Sequence, residues 1–210
     1  AALVIYAGNE PPNPVIAAPD GAFRFAVGES VNLAGTATDP QDGALTDDKL
    51  TWRVLLWHVP SALTETAHTH PFFSATGMSV TIPTMPAPED LDAAPLSYLE
   101  VQLTAIDSQG LARTVTSTLR PNLVPVTLAT SPDGLRVSAN GAALTATATI
   151  TAWQGMTLTI GAPGIQSITA GSWHKFVEWS DLGAATHEIV APGAPITYTA
   201  MYSGFVPLQV

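Results

Sequence analysis

Short segments in which apolar and polar residues alternate follow one another along the chain. The clearest are SVNLAGTATD (30–39), LTWRVLLWHV (50–59), MSVTIP (78–83), SYLEVQLTAID (97–107) and ARTVTSTLRP (112–121). Alternation with a period of two residues is typical of β-strands that bury one face. Turn sequences rich in Pro, Asp and Gly lie between the segments, such as DPQDG (39–43) and APED (87–90). The pattern therefore predicts many short strands.

The alternation also assigns side chains to the two faces of each strand. In the first segment, Val31, Leu33 and Ala37 are expected to point inward. Gly35 falls on the same face, where it marks a bulge or a close approach of another element. Trp52 lies in the middle of the next segment and has the position of a core tryptophan in a β-sandwich.

A fresh strand pattern begins at Val126, after the proline-containing stretch RPNLVPVTLAT (120–130). Neither half has an apolar stripe with helical spacing, and each strand must bury one face against a second sheet. We therefore predict an all-β chain with two antiparallel β-sandwich modules. Residues 1–8 would be the end of a preceding strand or a linker, residues 9–122 a first sandwich, and residues 123–210 a smaller second sandwich.

The composition limits the partners that we expect. Asp and Glu total 17 against 7 Lys and Arg, and the net charge of −10 disfavours nucleic acid and anionic membrane surfaces. Acidic side chains on loops are instead suited to Ca²⁺, which prefers oxygen ligands. The sequence has no cysteine, which excludes disulfides, thiolate nucleophiles and zinc–thiolate sites.

Sequence motifs of common catalytic folds are missing. We find no GxGxxG fingerprint, no phosphate-binding loop, no GxSxG elbow and no nucleophile–base pair, so we do not expect an enzyme. No apolar run approaches the roughly 20 residues of a membrane-spanning helix. No signal-peptide pattern opens the sequence either.

The first module resembles Ig-like domains of the polycystic-kidney-disease (PKD) type. The stretches that carry this resemblance are NEPPNPVI (9–16), FAVGESVNLAGTATDPQDGALT (25–46), LTWRV (50–54) and LTAIDSQGLA (103–112). With HTHPFF (68–73) and FVEWSDLGAATHEIVAPGAPITYTAMY (176–202), nearly the whole chain is similar to the C-terminal region of secreted glucose/sorbosone dehydrogenase-like proteins. Those proteins carry a quinone-dependent β-propeller ahead of this region.

This narrower resemblance implies a secreted, extracellular protein whose catalytic partner, an upstream propeller, is missing here. AALVIYAG (1–8) would be the last propeller strand or its linker. The family often carries paired histidines where this chain has Trp57 and His58, and often a cysteine pair around the following hairpin. The chain departs from the family at both places.

Three of the five histidines lie in the stretch RVLLWHVPSALTETAHTHPFF. His68 and His70 are two residues apart and would share one face of an extended segment, and a hairpin would bring His58 alongside. Three imidazoles on one face suit Zn²⁺ or Cu²⁺. Two other interpretations stay open, namely that the histidines are exposed loop residues or that they line a sugar-binding cleft.

Aromatic residues provide the rest of a candidate sugar site. An exposed aromatic ring can stack on the C–H face of a sugar while its polar atom stays in water. Trp57 and Phe72 flank the histidines, and Trp173 stands near a loop of the second module, whereas we assign Trp179 to the core. The predicted carbohydrate-binding residues are Trp57, His58, His68, His70, Phe72 and Trp173.

A second candidate metal site comes from loop residues. The resemblance to PKD-type domains implies that these loops gather at one end of the sandwich, where some members of the family bind Ca²⁺. The matching positions are Asn9, Asp39, Asp42 and Asp107. The alternative is that the aspartates only cap turns through side-chain hydrogen bonds.

The leading functional hypothesis is a non-catalytic accessory region that binds a polysaccharide or cell-surface glycan, or tethers a sugar-oxidising enzyme to such a surface. A second hypothesis is a self-associating surface or filament subunit that exchanges the strands AALVIY (1–6) and FVPLQV (205–210). A third is a metal-binding module built on the histidine cluster.

Overall fold

The computed structural model describes residues 8–61, 66–169 and 171–206 of the chain. These residues form β-strands, turns and one short 3₁₀ helix, Asp47–Lys49, and they contain no α-helix. The all-β prediction is confirmed. No helical segment in the described part of the chain has the length and apolarity needed to cross a membrane.

The chain divides into two units between Pro121 and Asn122. Of the expected strand or linker at 1–8, only Gly8 is described, and the strand AALVIY lies outside the described residues. Of FVPLQV, Phe205 and Val206 are described.

The first unit contains nine strands in its described residues. They are β1 (Asn13–Ala18), β2 (Arg24–Phe25), β3 (Val31–Asp39), β4 (Gly43–Ala44), β5 (Leu50–His58), β6 (His68–Thr76), β7 (Ser79–Ile82), β8 (Tyr98–Ile106) and β9 (Ala112–Pro121). One sheet has the order β1-β3-β4, with β7 paired to β3, and the other has the order β2-β9-β8-β5-β6. All pairs are antiparallel except β2 with β9, which run parallel.

The two sheets of the first unit pack face to face through alternating side chains. Val31, Leu33 and Ala37 are buried, as the alternation predicted. Gly35 marks the close approach: a Cβ there would lie 2.6 Å from Cδ2 of Leu103 and 3.0 Å from Cζ2 of Trp52, both on the other sheet. The missing side chain therefore lets two core residues of one sheet reach the backbone of the other.

The second unit also has nine strands in its described residues. They are β10 (Leu123–Ser131), β11 (Arg136–Ala139), β12 (Ala142–Thr145), β13 (Ala148–Trp153), β14 (Thr157–Gly161), β15 (Ile165–Thr169), β16 (Ser172–Trp179), β17 (Thr186–Val190) and β18 (Ile196–Phe205). The sheets have the orders β13-β10-β18-β16-β15 and β12-β11-β14-β17. Trp153 and Trp179 are fully buried in this unit.

One pair in the second unit departs from the predicted antiparallel arrangement. Strands β10 and β18, the first and last of the unit, run parallel from Val126 opposite Ile196 to Ser131 opposite Met201. Parallel neighbours need a long connection, and here the rest of the unit supplies it.

Candidate metal centre

The hairpin of β5 and β6 places three histidines together. Its register sets His58 directly opposite His68 and sets His70 opposite Leu56. Because residues two apart on a strand share a face, the three imidazoles gather on one side of the hairpin. The ring centroids of His58 and His68 are 4.8 Å apart, as are those of His68 and His70. The hairpin predicted from the sequence is therefore present, with its histidines in contact.

The loop between β7 and β8 brings two carboxylates to these histidines. Asp90 is fixed in a turn, because its Oδ1 accepts a hydrogen bond of 2.7 Å from the backbone N–H of the fully buried Ala93. Further along the loop, the Ser97 hydroxyl accepts a hydrogen bond of 3.0 Å from the N–H of Val59, the residue after β5. The loop is thus anchored against the end of β5, and it presents Glu89 and Asp90 to the imidazoles.

Three side-chain atoms converge at the centre of this group. Oε2 of Glu89 lies 3.7 Å from Nδ1 of His58 and 4.0 Å from Nε2 of His68, and the three atoms all lie within 4.8 Å of one another. Zinc binds nitrogen and oxygen at about 2.0–2.2 Å, so the ligand atoms of a tetrahedral site are roughly 3.3–3.5 Å apart. A contraction of up to about 1.5 Å would bring these atoms to ligating distances.

Hydrogen bonds to the other ring nitrogens assign the tautomers of two histidines. Nε2 of His58 lies 3.2 Å from Oδ2 of Asp90, and Nδ1 of His68 lies 3.0 Å from the carbonyl oxygen of Thr66. Both partners are acceptors, so we assign the protons to these two nitrogens. Nδ1 of His58 and Nε2 of His68 then keep the lone pairs that a metal needs. Outer hydrogen bonds of this kind orient histidine ligands in metalloproteins.

His58 has one polar atom that the protein leaves unsatisfied. The side chain is 3% exposed, and its buried Nδ1 has no hydrogen-bond partner among the described residues. Buried polar atoms nearly always have a partner, so an exception of this kind calls for an explanation such as an ion. The unsatisfied atom faces Oε2 of Glu89.

The other side of the cluster faces solvent. His68 is 44% exposed and Glu89 46% exposed, in contrast to His58. His70 is also exposed, and its Nε2 lies 3.2 Å from Oε2 of Glu89. No atom of His70 belongs to the group of three converging ligand atoms, which come from His58, His68 and Glu89. The cluster therefore has a buried side, formed by His58, and a solvent side, where the side chain of Asp90 is also 52% exposed.

One of the predicted carbohydrate-binding residues, Trp57, does not share a strand face with His58. Trp57 points to the face of β5 opposite to His58, because successive side chains on a strand alternate. Its ring stacks on Tyr98 with centroids 5.8 Å apart and planes 16° apart, and its Nε1–H donates a hydrogen bond of 3.2 Å to Glu100. The guanidinium carbon of Arg120 lies 5.3 Å from the centroid of the Tyr98 ring.

Phe72 and Trp173 complete the predicted carbohydrate-binding set. Phe72 stands at a register shift of β6, since Val54 pairs with Phe73 and Leu55 pairs with Pro71. It helps to line a shallow groove of about 430 Å³ on the first unit. Trp173 belongs to β16 of the second unit and is 38% exposed.

The residues predicted to bind calcium meet at one end of the first unit. Asn9 donates a hydrogen bond of 2.6 Å to Asp107, and Asp42 accepts hydrogen bonds from the N–H and hydroxyl of Ser108. Burial raises the pKa of Asp107, but the hydrogen bonds from Asn9 and from backbone N–H groups of its own turn outweigh burial and hold it below its ordinary value. Oδ1 of Asp39 caps its own turn, and its buried Oδ2 lacks a partner in the described structure.

Turn capping thus accounts for most of the contacts of these aspartates. Among the described residues, the one group with three converging ligand atoms is His58, His68 and Glu89. Calcium binding at Asp39, Asp42 and Asp107 stays a prediction.

Comparisons with known proteins do not identify a function for this site. No family model matches the chain, and no curated protein matches it. Among solved structures, the chain is similar to the crystal structure of Spo0M, a sporulation control protein from Bacillus subtilis. The two share 9% sequence identity over 87% of this chain and 89% of that chain, with a TM-score of 0.36. The function therefore has to be argued from the site itself.

Proposed function

We propose that the first unit is a metal-binding module that holds a divalent transition-metal ion, zinc or copper, through His58, His68 and Glu89. The observation that carries the proposal is the buried, unpartnered Nδ1 of His58, which faces Oε2 of Glu89 at 3.7 Å. Neutral imidazole nitrogen and carboxylate oxygen are ligands that zinc uses, and imidazole also suits copper. The role that we assign to the module is binding rather than catalysis.

Bound metal would join the paired strands β5 and β6 to the loop after β7. His58 ends β5, His68 begins β6, and Glu89 comes from the loop after β7. An ion held by all three stabilises the folded unit, because the unfolded chain cannot present the same three atoms together. Metal at about 100 times its dissociation constant should stabilise the unit by about 2.7 kcal/mol.

Calorimetric titration of zinc and copper into chelator-treated protein tests the proposal. We expect uptake of one ion per chain, a higher melting temperature with the ion bound, and reversal by EDTA. Elemental analysis of the purified protein for calcium, zinc and copper complements the titration. Calcium alone, at one ion per chain, would contradict the proposal and would point to Asp39, Asp42 and Asp107 instead.

Substitutions at the solvent side locate the ion without disturbing the core. His68→Ala and Glu89→Gln should each weaken binding by more than roughly 100-fold, because each removes or neutralises a ligand. Asp90→Asn should weaken it by roughly 10–100-fold, the usual effect of removing an outer hydrogen-bond partner. His174→Ala, the same type of change in the second unit, is the matched control. Binding by all four variants at the wild-type affinity would place the ion elsewhere.

Carbohydrate binding is a second candidate function, favoured by the stacked pair of Trp57 and Tyr98 on the outward face of β5 and β8. Glu100 and Arg120 stand beside the two rings and offer hydrogen bonds to hydroxyl groups. The resemblance to secreted glucose/sorbosone dehydrogenase-like proteins supports the extracellular setting and the sugar-oxidising partner of this proposal.

Retention on insoluble polysaccharides tests the carbohydrate proposal. Trp57→Ala should reduce the association constant by up to about tenfold, since an aromatic contact contributes about 0.5–1.5 kcal/mol. Leu182→Ala, which trims an exposed side chain of the second unit, serves as the control. If the wild-type protein is not retained on any glycan tested, the proposal fails.

A further inference from the structure

We infer that the metal at His58, His68 and Glu89 keeps a fourth coordination position that exchangeable ligands occupy, and that this position takes a small monodentate Lewis base such as an imidazole or an anion. The inference rests on the proposed metal site. Two imidazoles and one carboxylate are a donor set that zinc uses with an open fourth position, whereas closed structural sites have four protein ligands.

Each of the three ligand side chains also contacts a polar group that does not itself bind the metal. Asp90 faces Nε2 of His58 at 3.2 Å, and the carbonyl oxygen of Thr66 faces Nδ1 of His68 at 3.0 Å. His70 completes the set, because its Nε2 lies 3.2 Å from Oε2 of Glu89. Ligating carboxylates, like ligating histidines, are usually held by such outer hydrogen bonds.

His70 is therefore a positioning residue rather than a fourth ligand. Its Nε2 stands at hydrogen-bond distance from Glu89 and outside the set of three converging atoms. Because Glu89 is an acceptor, we assign the proton of His70 to Nε2, and an N–H that donates to Glu89 cannot at the same time offer a lone pair to a metal. Coordination through Nε2 of His70 would require a change of tautomer and the loss of its contact with Glu89.

Exposure indicates where the fourth position lies. His58 is 3% exposed, while His68 and Glu89 are 44% and 46% exposed. A metal bound to these three atoms has protein on the side of His58 and solvent on the side of the other two ligands. The fourth vertex of a tetrahedral site then points outward, where a dissolved ligand or a side chain of another protein can reach it.

Cobalt(II) substitution in the full chain tests this inference, since visible bands of cobalt depend on its ligands and their number. We expect the cobalt-loaded protein to show these bands and expect azide, and separately imidazole, to shift them saturably. Bands that neither ligand changes would overturn the inference and leave the metal site standing. Absence of cobalt, zinc and copper binding would remove the proposed function, and the inference with it.

Variants of His70 separate positioning from ligation. His70→Ala should keep the cobalt bands and the azide response while weakening cobalt binding by roughly 10–100-fold. His70→Gln, which retains an N–H donor, should recover part of that loss. His174→Ala should match the wild-type protein. If His70→Ala changes the cobalt bands, and only this variant responds to azide, His70 is the fourth ligand and the inference is wrong.

Discussion

Replacement of Gly35 by valine is expected to lower the unfolding free energy of the first unit by about 3 kcal/mol, at the upper end of the usual cost of overpacking a core. Its Cβ would lie 2.6 Å from Cδ2 of Leu103, 2.9 Å from the carbonyl oxygen of Val15 and 3.0 Å from Cζ2 of Trp52. Leu103 and Trp52 are fully buried, so neither can move aside without displacing other core residues. The carbonyl of Val15 belongs to the paired backbone of β1.

Urea denaturation, followed by hydrogen exchange of the β8 amides, gives the stability of this unit specifically. Gly35→Ala should show a smaller loss than Gly35→Val, because it adds the Cβ without the two methyl groups. Gly21→Ala is the control, since a Cβ at Gly21 would meet nothing within 4 Å. Equal stability of Gly35→Val and the wild-type protein would show that the sheets can separate at this point without cost.

Truncation of Trp179 to alanine should have a comparable effect in the second unit. We expect a loss of about 3–5 kcal/mol, because the largest side chain would be removed from a core that has nothing to fill the space. Trp179 is fully buried, and its Nε1–H donates a hydrogen bond of 3.2 Å to the carbonyl oxygen of Ala185. Its ring also packs near Phe176 and His187, with centroids 6.5 Å and 6.1 Å away.

The same strand supplies the control for this prediction. Trp173→Ala removes a tryptophan from β16 that is 38% exposed, and the loss should be clearly smaller. Trp179→Phe should lie between the two, because it keeps an aromatic ring but leaves the carbonyl of Ala185 with one donor, the N–H of Ala162, instead of two. Denaturation curves that place Trp179→Ala and Trp173→Ala at the same midpoint would contradict the assignment of Trp179 to the core.

Local pattern was enough to predict β3 and its two faces. On β3, Val31, Leu33 and Ala37 are buried, and Gly35 is a point of close approach, as the sequence indicated. These properties depend on the period of two residues and on the size of one side chain. The two-residue period and the size of a side chain can both be read from the sequence without knowing which strands are neighbours.

The metal site could be predicted only in part. The three histidines lie within 13 residues, and a hairpin is enough to bring them together. Asp90 is separated from His58 by 32 positions, and in the sequence it is only one acidic residue of a turn. Its contact depends on how the loop after β7 packs against β5, which strand patterns do not determine. The outer hydrogen bonds that favour a metal site were therefore missed.

The parallel pairing of β10 and β18 affects how the second unit responds to mechanical force. Tension applied between Asn122 and Phe205 pulls the beginning of β10 and the end of β18 in opposite directions along the strand axes. Between Val126 and Ser131, the hydrogen bonds to β18 are then loaded in shear, all together rather than one after another. Rupture requires the whole ladder to break at once, so this pairing should resist force applied along the strands.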